Sequence, residues 1–195
     1  DGIVVTDHYT EGFFGDMPAD TSWRDKLDRY LTGWRAARDA GGVLGMTVLL
    51  GLELRFAGSN NDYLVYGATP ALLEAHPALY TLSPEVFSRF AKENGLWWAQ
   101  AHPFRPGLTR CPPSCLDGLE VFNGNPRHDS HNGLAAAYAE EHGLTAIAGS
   151  DYHELPDLSG TGVRFHSEVT DNRTLLEGLR SGAFDIVRGA VPPIR

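Results

Sequence analysis

Residues 144–153 read LTAIAGSDYH, a short apolar run closed by glycine and followed by an acidic residue and a histidine two positions apart. Such a run, bounded by turn formers, suits a buried parallel strand, because both faces of that strand meet other layers. Asp151 and His153 stand at i and i+2, a spacing that in extended chain sends both side chains to one side. A buried strand that ends in polar groups suited to a shared centre is a site-building unit, and similar units recur along the chain.

Further strand-like runs lie at 2–6, 46–52, 62–66, 96–101, 118–122 and 161–165, with a weaker one at 184–187. Helical signals fall between them. From Thr21 to Ala40 the residues Trp23, Leu27, Tyr30, Leu31, Trp34 and Ala37 share one face, and Gly41-Gly42 is expected to end the run. Ser83-Pro84-Glu85 is a helix start, a capping hydroxyl followed by proline at the first helical position, and Gly95 is its stop. Residues 130–142 and 172–181 read as two more helices, the latter ending at Gly182. Strands alternating with helices predict an α/β fold with parallel strands, and periodicity alone separates neither barrel from open sheet. With no internal repeat, low-complexity tract or linker, residues 1–195 read as one domain.

Polar residues collect where the strands end. Asp7-His8 follows the first run, Glu53 the second, His102 the run at 96–101, Asn123 that at 118–122, and Asp151 with His153 that at 144–149. Taken singly, a histidine after a strand is more often a turn or capping residue, and Glu53 or Asp151 reads as well as an ion-pair partner or a cap. Parallel βα units, however, gather their strand ends on one face. Burying so many ionisable groups together costs several kcal/mol per unpaired charge, roughly, unless a cation is shared among them. Imidazole nitrogen mixed with carboxylate oxygen suits Zn²⁺, Mn²⁺ or Fe²⁺, and the two oxygens of Glu53 suit it to bridging.

The bulk numbers narrow the partners. Sixteen Lys and Arg against 25 Asp and Glu give a net charge of -9, the wrong sign for a general nucleic-acid binder. No apolar run is long enough for a membrane span, and the start lacks a secretory pattern. The two cysteines, Cys111 and Cys115, imply no disulfide framework, so a cytoplasmic location is expected and free loop thiols are favoured over a zinc site.

Thr6-Asp7-His8, Gly51-Leu52-Glu53, Ala101-His102-Pro103-Phe104-Arg105 and Gly149-Ser150-Asp151-Tyr152-His153, in that order, resemble successive motifs of the PHP (polymerase and histidinol phosphatase) family. Glu120-Val121-Phe122-Asn123 and the segment Leu175–Gly182 resemble its later part, and the resemblance runs to about residue 190. It implies a distorted (β/α)7 barrel, here missing its first strand–helix unit with the His-x-His pair, and metal-dependent hydrolysis of a phosphate ester. His8, Glu53, His102, Asp151 and His153 fall on the family's ligand positions, and Asp7 on a position that orients His8. Gly67-Ala68-Thr69 follows Tyr66 where three-metal members carry a histidine, so two divalent ions (Zn, Mn or Fe) at most are expected.

Arg105, Arg127 and Arg164 are candidates to hold phosphate oxygens, weighed against ordinary solvated arginines. His128 or His131 is a candidate general acid, in a loop that reads more readily as a helix-capping turn. The expected substrate is a small phosphomonoester, such as histidinol phosphate or a nucleotide, or an oligonucleotide end, with nucleic acid only as substrate. A degenerate, non-catalytic metal-binding module is the alternative. An amidohydrolase-like enzyme is disfavoured because no lysine follows a strand.

Overall fold

The computed structural model describes residues 1–189, so the last residues of the expected 1–195 domain, 190–195, lie outside the described part. Strands β1 (Gly2–Val5) and β2 (His8–Tyr9) lie end to end along β3 (Thr47–Arg55), both parallel to it, with His8 in register with Glu53. The strand order continues through β4 (Asp62–Tyr66), β5 (Trp97–Gln100), β6 (Gly118–Asn123) and β7 (Thr145–Gly149). This sheet is strongly curled into a half-barrel, a partial form of the expected (β/α) barrel. Strands β8 (Gly162–Phe165) and β9 (Phe184–Val187) form a separate antiparallel pair.

The sheet is mixed rather than parallel. Strand β4 runs antiparallel to both β3 and β5. Residues 56–61 are too few to hold a crossover helix, so the chain must return as a hairpin, and Gly58 at φ +76° makes the turn. This reversal brings the first residue of β4, Asp62, to the rim where the parallel strands finish.

Seven α-helices accompany the sheet among the described residues: α1 (Glu11–Gly15), α2 (Trp23–Tyr30), α3 (Thr32–Leu44), α4 (Pro70–Ala75), α5 (Pro84–Glu93), α6 (Asn132–His142) and α7 (Asn172–Ser181). The single helix expected over Thr21–Ala40 is thus two, joined at Leu31, and the second runs past the glycines to Gly45 at φ +67°. Gly41 serves packing instead of termination, since a Cβ there would lie 2.4 Å from Val48 Cγ2. The caps at Ser83 and Gly182 are as the sequence suggests: Ser83 Oγ accepts the Val86 N–H at 3.3 Å, and Gly182 is left-handed at φ +65°.

Strand alternation sorts the core into two layers. Leu50, Leu52, Leu54, Val65, Trp98 and Leu119 pack with Leu27, Tyr30, Leu73, Phe87 and Ala135 of the helices. On the other face Leu64, Trp97, Ala99 and Ile147 pack with Leu175 and Leu179 of α7, with Phe165 and Phe184 of the hairpin beside them. Glu53, between Leu52 and Leu54, and Glu120, between Leu119 and Val121, therefore point to this second face. No described helix is long and apolar enough to cross a membrane.

Candidate metal centre

Glu53 stands at the middle of the site. Its Oε2 lies 3.3 Å from His8 Nδ1 and its Oε1 3.2 Å from His102 Nε2, so each oxygen faces a different imidazole. Glu53 lies within β3 rather than after it, and the pairing of β2 with β3 brings His8 alongside. His102, just beyond β5, is buried, and Asp62 Oδ2 lies 3.9 Å from its Nε2. Ligand atoms of His8, Glu53 and Asp62 lie within 4.8 Å of one another, as do those of Glu53, His102 and Asp151.

His102 and Asp151 have left-handed backbones, φ +29° and +51°. For residues with a Cβ this conformation costs on the order of 1–3 kcal/mol, so the surroundings must enforce it. Glu120 Oε2 accepts the His102 N–H at 2.8 Å, and Asn125 Nδ2 donates to the Asp151 carbonyl at 2.8 Å. Because Asp151 turns in this way, 151–153 is not extended, and the i, i+2 argument for Asp151 and His153 does not hold. His153 Nδ1 lies 3.1 Å from the Asp151 carbonyl, and its ring is 5.6 Å from that of His8.

Burial and neighbouring charge set the protonation of the buried groups. Burial pushes the Glu120 carboxyl up to about 7, against the opposing pull of His102 and the Asn123 hydrogen bond. His102 is drawn down by burial, yet its hydrogen bond to Glu53 and the charge of Glu120 leave it net raised. Burial also raises Asp7, whose carboxylate lies against the backbone of Gly33, a Cβ there being 3.1 Å from Oδ2.

An open cleft of about 330 Å³ is lined by the five residues singled out as metal ligands, His8, Glu53, His102, Asp151 and His153. Arg105, Arg127 and His128 line it too, along with Asp62 and Arg55. His153 reaches the cleft but belongs to neither close group of ligand atoms. The arginines are already engaged: Arg105 with Asp151, Arg127 with Asp157 at 2.5 and 2.6 Å, and Arg55 with Asp62 at 2.7 and 2.8 Å. Arg164 is exposed on β8 away from the cleft lining, and His131 sits 3.3 Å from Asp129. Cys111 and Cys115 are free thiols, and burial pushes Cys111 up to about 12.

Sequence reasoning missed Asp62 and gave Glu120 no role beyond its place in a motif. Asp62 begins a strand whose reversal only the pairing reveals. Glu120 occupies an inward position in a strand of otherwise apolar alternation, the one signal that could have marked it.

The residues fit a divalent cation. Two imidazoles and three carboxylates converge, and the buried Glu53 has imidazoles as its ion-pair partners among the described residues. Mixed nitrogen and oxygen donors match Zn²⁺, Mn²⁺ or Fe²⁺.

Residues 129–184 match the family model described as PHP-associated. That stretch is less than half of the chain. Likeness in fold extends beyond it: a two-domain protein from Bacteroides vulgatus ATCC 8482, containing a predicted PHP-like metal-dependent phosphoesterase, superposes with a TM-score of 0.65 at 18% identity. That match covers 97% of this chain and 56% of the other. PsfC from Pseudomonas syringae PB-5123 is similar at TM-score 0.59 and 18% identity, over 75% of this chain and 61% of PsfC. The chain thus spans a little over half the length of these structures. No curated protein sequence matches it.

Proposed function

We propose that this PHP-like fold carries out metal-dependent hydrolysis of a phosphate ester, with His8, Glu53, His102, Asp151 and Asp62 as the residues that would hold the metal. The observation that supports this most is the Glu53 carboxylate, buried and faced on its two oxygens by His8 and His102. His153 flanks the centre beside His8 and is a further candidate ligand. When bound, a divalent ion supplies Lewis acidity and lowers the pKa of water.

The chain's own groups do the rest. Arg105 and Arg127 line the cleft, and a guanidinium released from its carboxylate there can receive phosphate oxygens in pairs. His128, exposed on the same cleft, is the candidate proton donor to the leaving alkoxide. Glu120 and Asn125 hold the strained backbones of His102 and Asp151 in place. The open cleft and net charge of -9 favour a small phosphomonoester over a polyanion.

The test is hydrolysis of an aryl phosphate with added Mn²⁺ or Zn²⁺, in the wild type and in His102→Ala and Asp151→Ala. Activity that the chelator abolishes and both variants lack supports the reading. Turnover that survives either variant or the chelator overturns it. A second reading, a metal-binding module without turnover, draws on Arg55 and Arg105 resting on Asp62 and Asp151. Metal-induced thermal stabilisation with no hydrolysis would select it.

A further inference from the structure

Arg105 is the one arginine of the cleft that is both largely buried and paired with a carboxylate of the Glu53–His102–Asp151 group. Its side chain is 17% exposed and that of Asp151 7%. Two neutral acceptors tether it from behind: Ser130 Oγ, 3.1 Å from Nε, and Asn123 Oδ1, 3.1 Å from the same terminal nitrogen that meets Asp151. Ser130 and Asn123 are themselves buried, and Asn123 is fixed by donating to Glu120 at 3.0 Å. The Arg105 backbone N–H also closes a turn onto the His102 carbonyl at 3.1 Å. The positive charge is therefore built into the fold beside Asp151 and has little freedom to withdraw.

We propose that Arg105 is the counter-charge of Asp151, and that a divalent cation must compete with it for that carboxylate, so that Arg105 sets the affinity for the ion. The inference rests on the metal-site reading above. A carboxylate cannot serve a guanidinium and a cation at full strength. The tethers to Ser130 and Asn123 also keep the released guanidinium close to the ion, where like charges repel. Its freed edge is then available to an anion, which would make anion binding follow metal binding.

An opposite charge in direct contact shifts a carboxylate's proton affinity by about 1–3 pH units, so removing Arg105 should tighten cation binding by about tenfold or more. The experiment is calorimetric titration of the wild type and Arg105→Gln with Mn²⁺ alone, then of the Mn²⁺-loaded proteins with inorganic phosphate. The expected result is tighter Mn²⁺ binding in Arg105→Gln, together with weaker phosphate binding. Ser130→Ala, which cuts one tether and spares every candidate ligand, should tighten Mn²⁺ by a smaller factor if Arg105→Gln proves too unstable to titrate. Mn²⁺ affinity that is unchanged or weaker in the variant that folds overturns the inference and leaves the metal-site reading standing. Absence of Mn²⁺ binding in the wild type itself overturns that reading, and the inference with it.

Discussion

Glu53 Oε1 and His102 Nε2 lie 3.2 Å apart between two strands that are not neighbours, with β4 running between them in the opposite direction. The contact crosses a curled sheet at its rim, and both side chains are buried. Glu53 gives its second oxygen to His8, so one carboxylate joins three strands' worth of ligands.

Replacing one member of a buried ion pair leaves the other uncompensated. His102→Ala should therefore destabilise the metal-free protein by about 3 kcal/mol, the lower end for breaking a buried pair. His8→Ala removes a half-exposed partner and should cost well under half as much. Urea denaturation of both variants checks the order. Equal losses would mean that Glu53 is not a buried charge held by His102.

Two glycines of the inner face have different tolerances. A Cβ at Gly118 would lie 2.4 Å from Trp97 Cη2 and 2.6 Å from the Thr145 carbonyl, neither of which can move cheaply. A Cβ at Gly149 would meet only Glu120 Oε1, at 2.9 Å, the far end of a side chain. Gly118→Ala is expected to cost about 3 kcal/mol and Gly149→Ala about 1 kcal/mol, from the usual range for overpacking. Gly149→Ala should nonetheless weaken metal binding, because Glu120 holds the His102 backbone. Denaturation and metal titration on the same two variants separate these effects.

Much of this arrangement was legible in the residues. The strand at 62–66 and the helix at 172–181 have the boundaries that alternation and capping predict. The five ligand candidates do line one cleft, because the ends of β2, β5 and β7 meet there. Strand direction was not legible, since composition is the same read either way, and with it went Asp62. Burial of Gly41 against Val48 was equally invisible, so a packing glycine looked like a helix stop. The carboxylate partners of Arg105 and Arg127 were not legible either, because they lie 46 and 30 residues away in sequence.

Asp157 anchors the loop that carries His153. Its Oδ2 accepts the N–H groups of His153 and Glu154 at 3.1 Å each, while Arg127 grips both oxygens. The Arg127 hydrogen bonds foremost hold the Asp157 carboxyl down to about 2. A carboxyl lowered on folding contributes stability that is present above its unfolded pKa and is lost as pH falls through its folded one. The melting-temperature gap between wild type and Asp157→Asn should therefore be constant above about pH 5 and shrink between about pH 4 and pH 2. A gap that widens on acidification would reject the assignment.

Glu120 titrates in the opposite sense. Burial raises its carboxyl to about 7, so between its ordinary value and neutrality the folded protein holds a proton that the unfolded chain has released. Stability from this group is complete at acid pH and is lost as pH rises through about 7. Glu120→Gln keeps an oxygen to accept from the His102 N–H and from Asn123 Nδ2, and it abolishes the titration. In metal-free protein the variant should thus gain on the wild type as pH rises from about 4.5 to about 7.5, and the two should run parallel below that range. Melting curves across this range decide it. A wild type that gains on Glu120→Gln with rising pH would mean that the carboxylate is ionised and stabilising, with His102 and Asn123 outweighing burial.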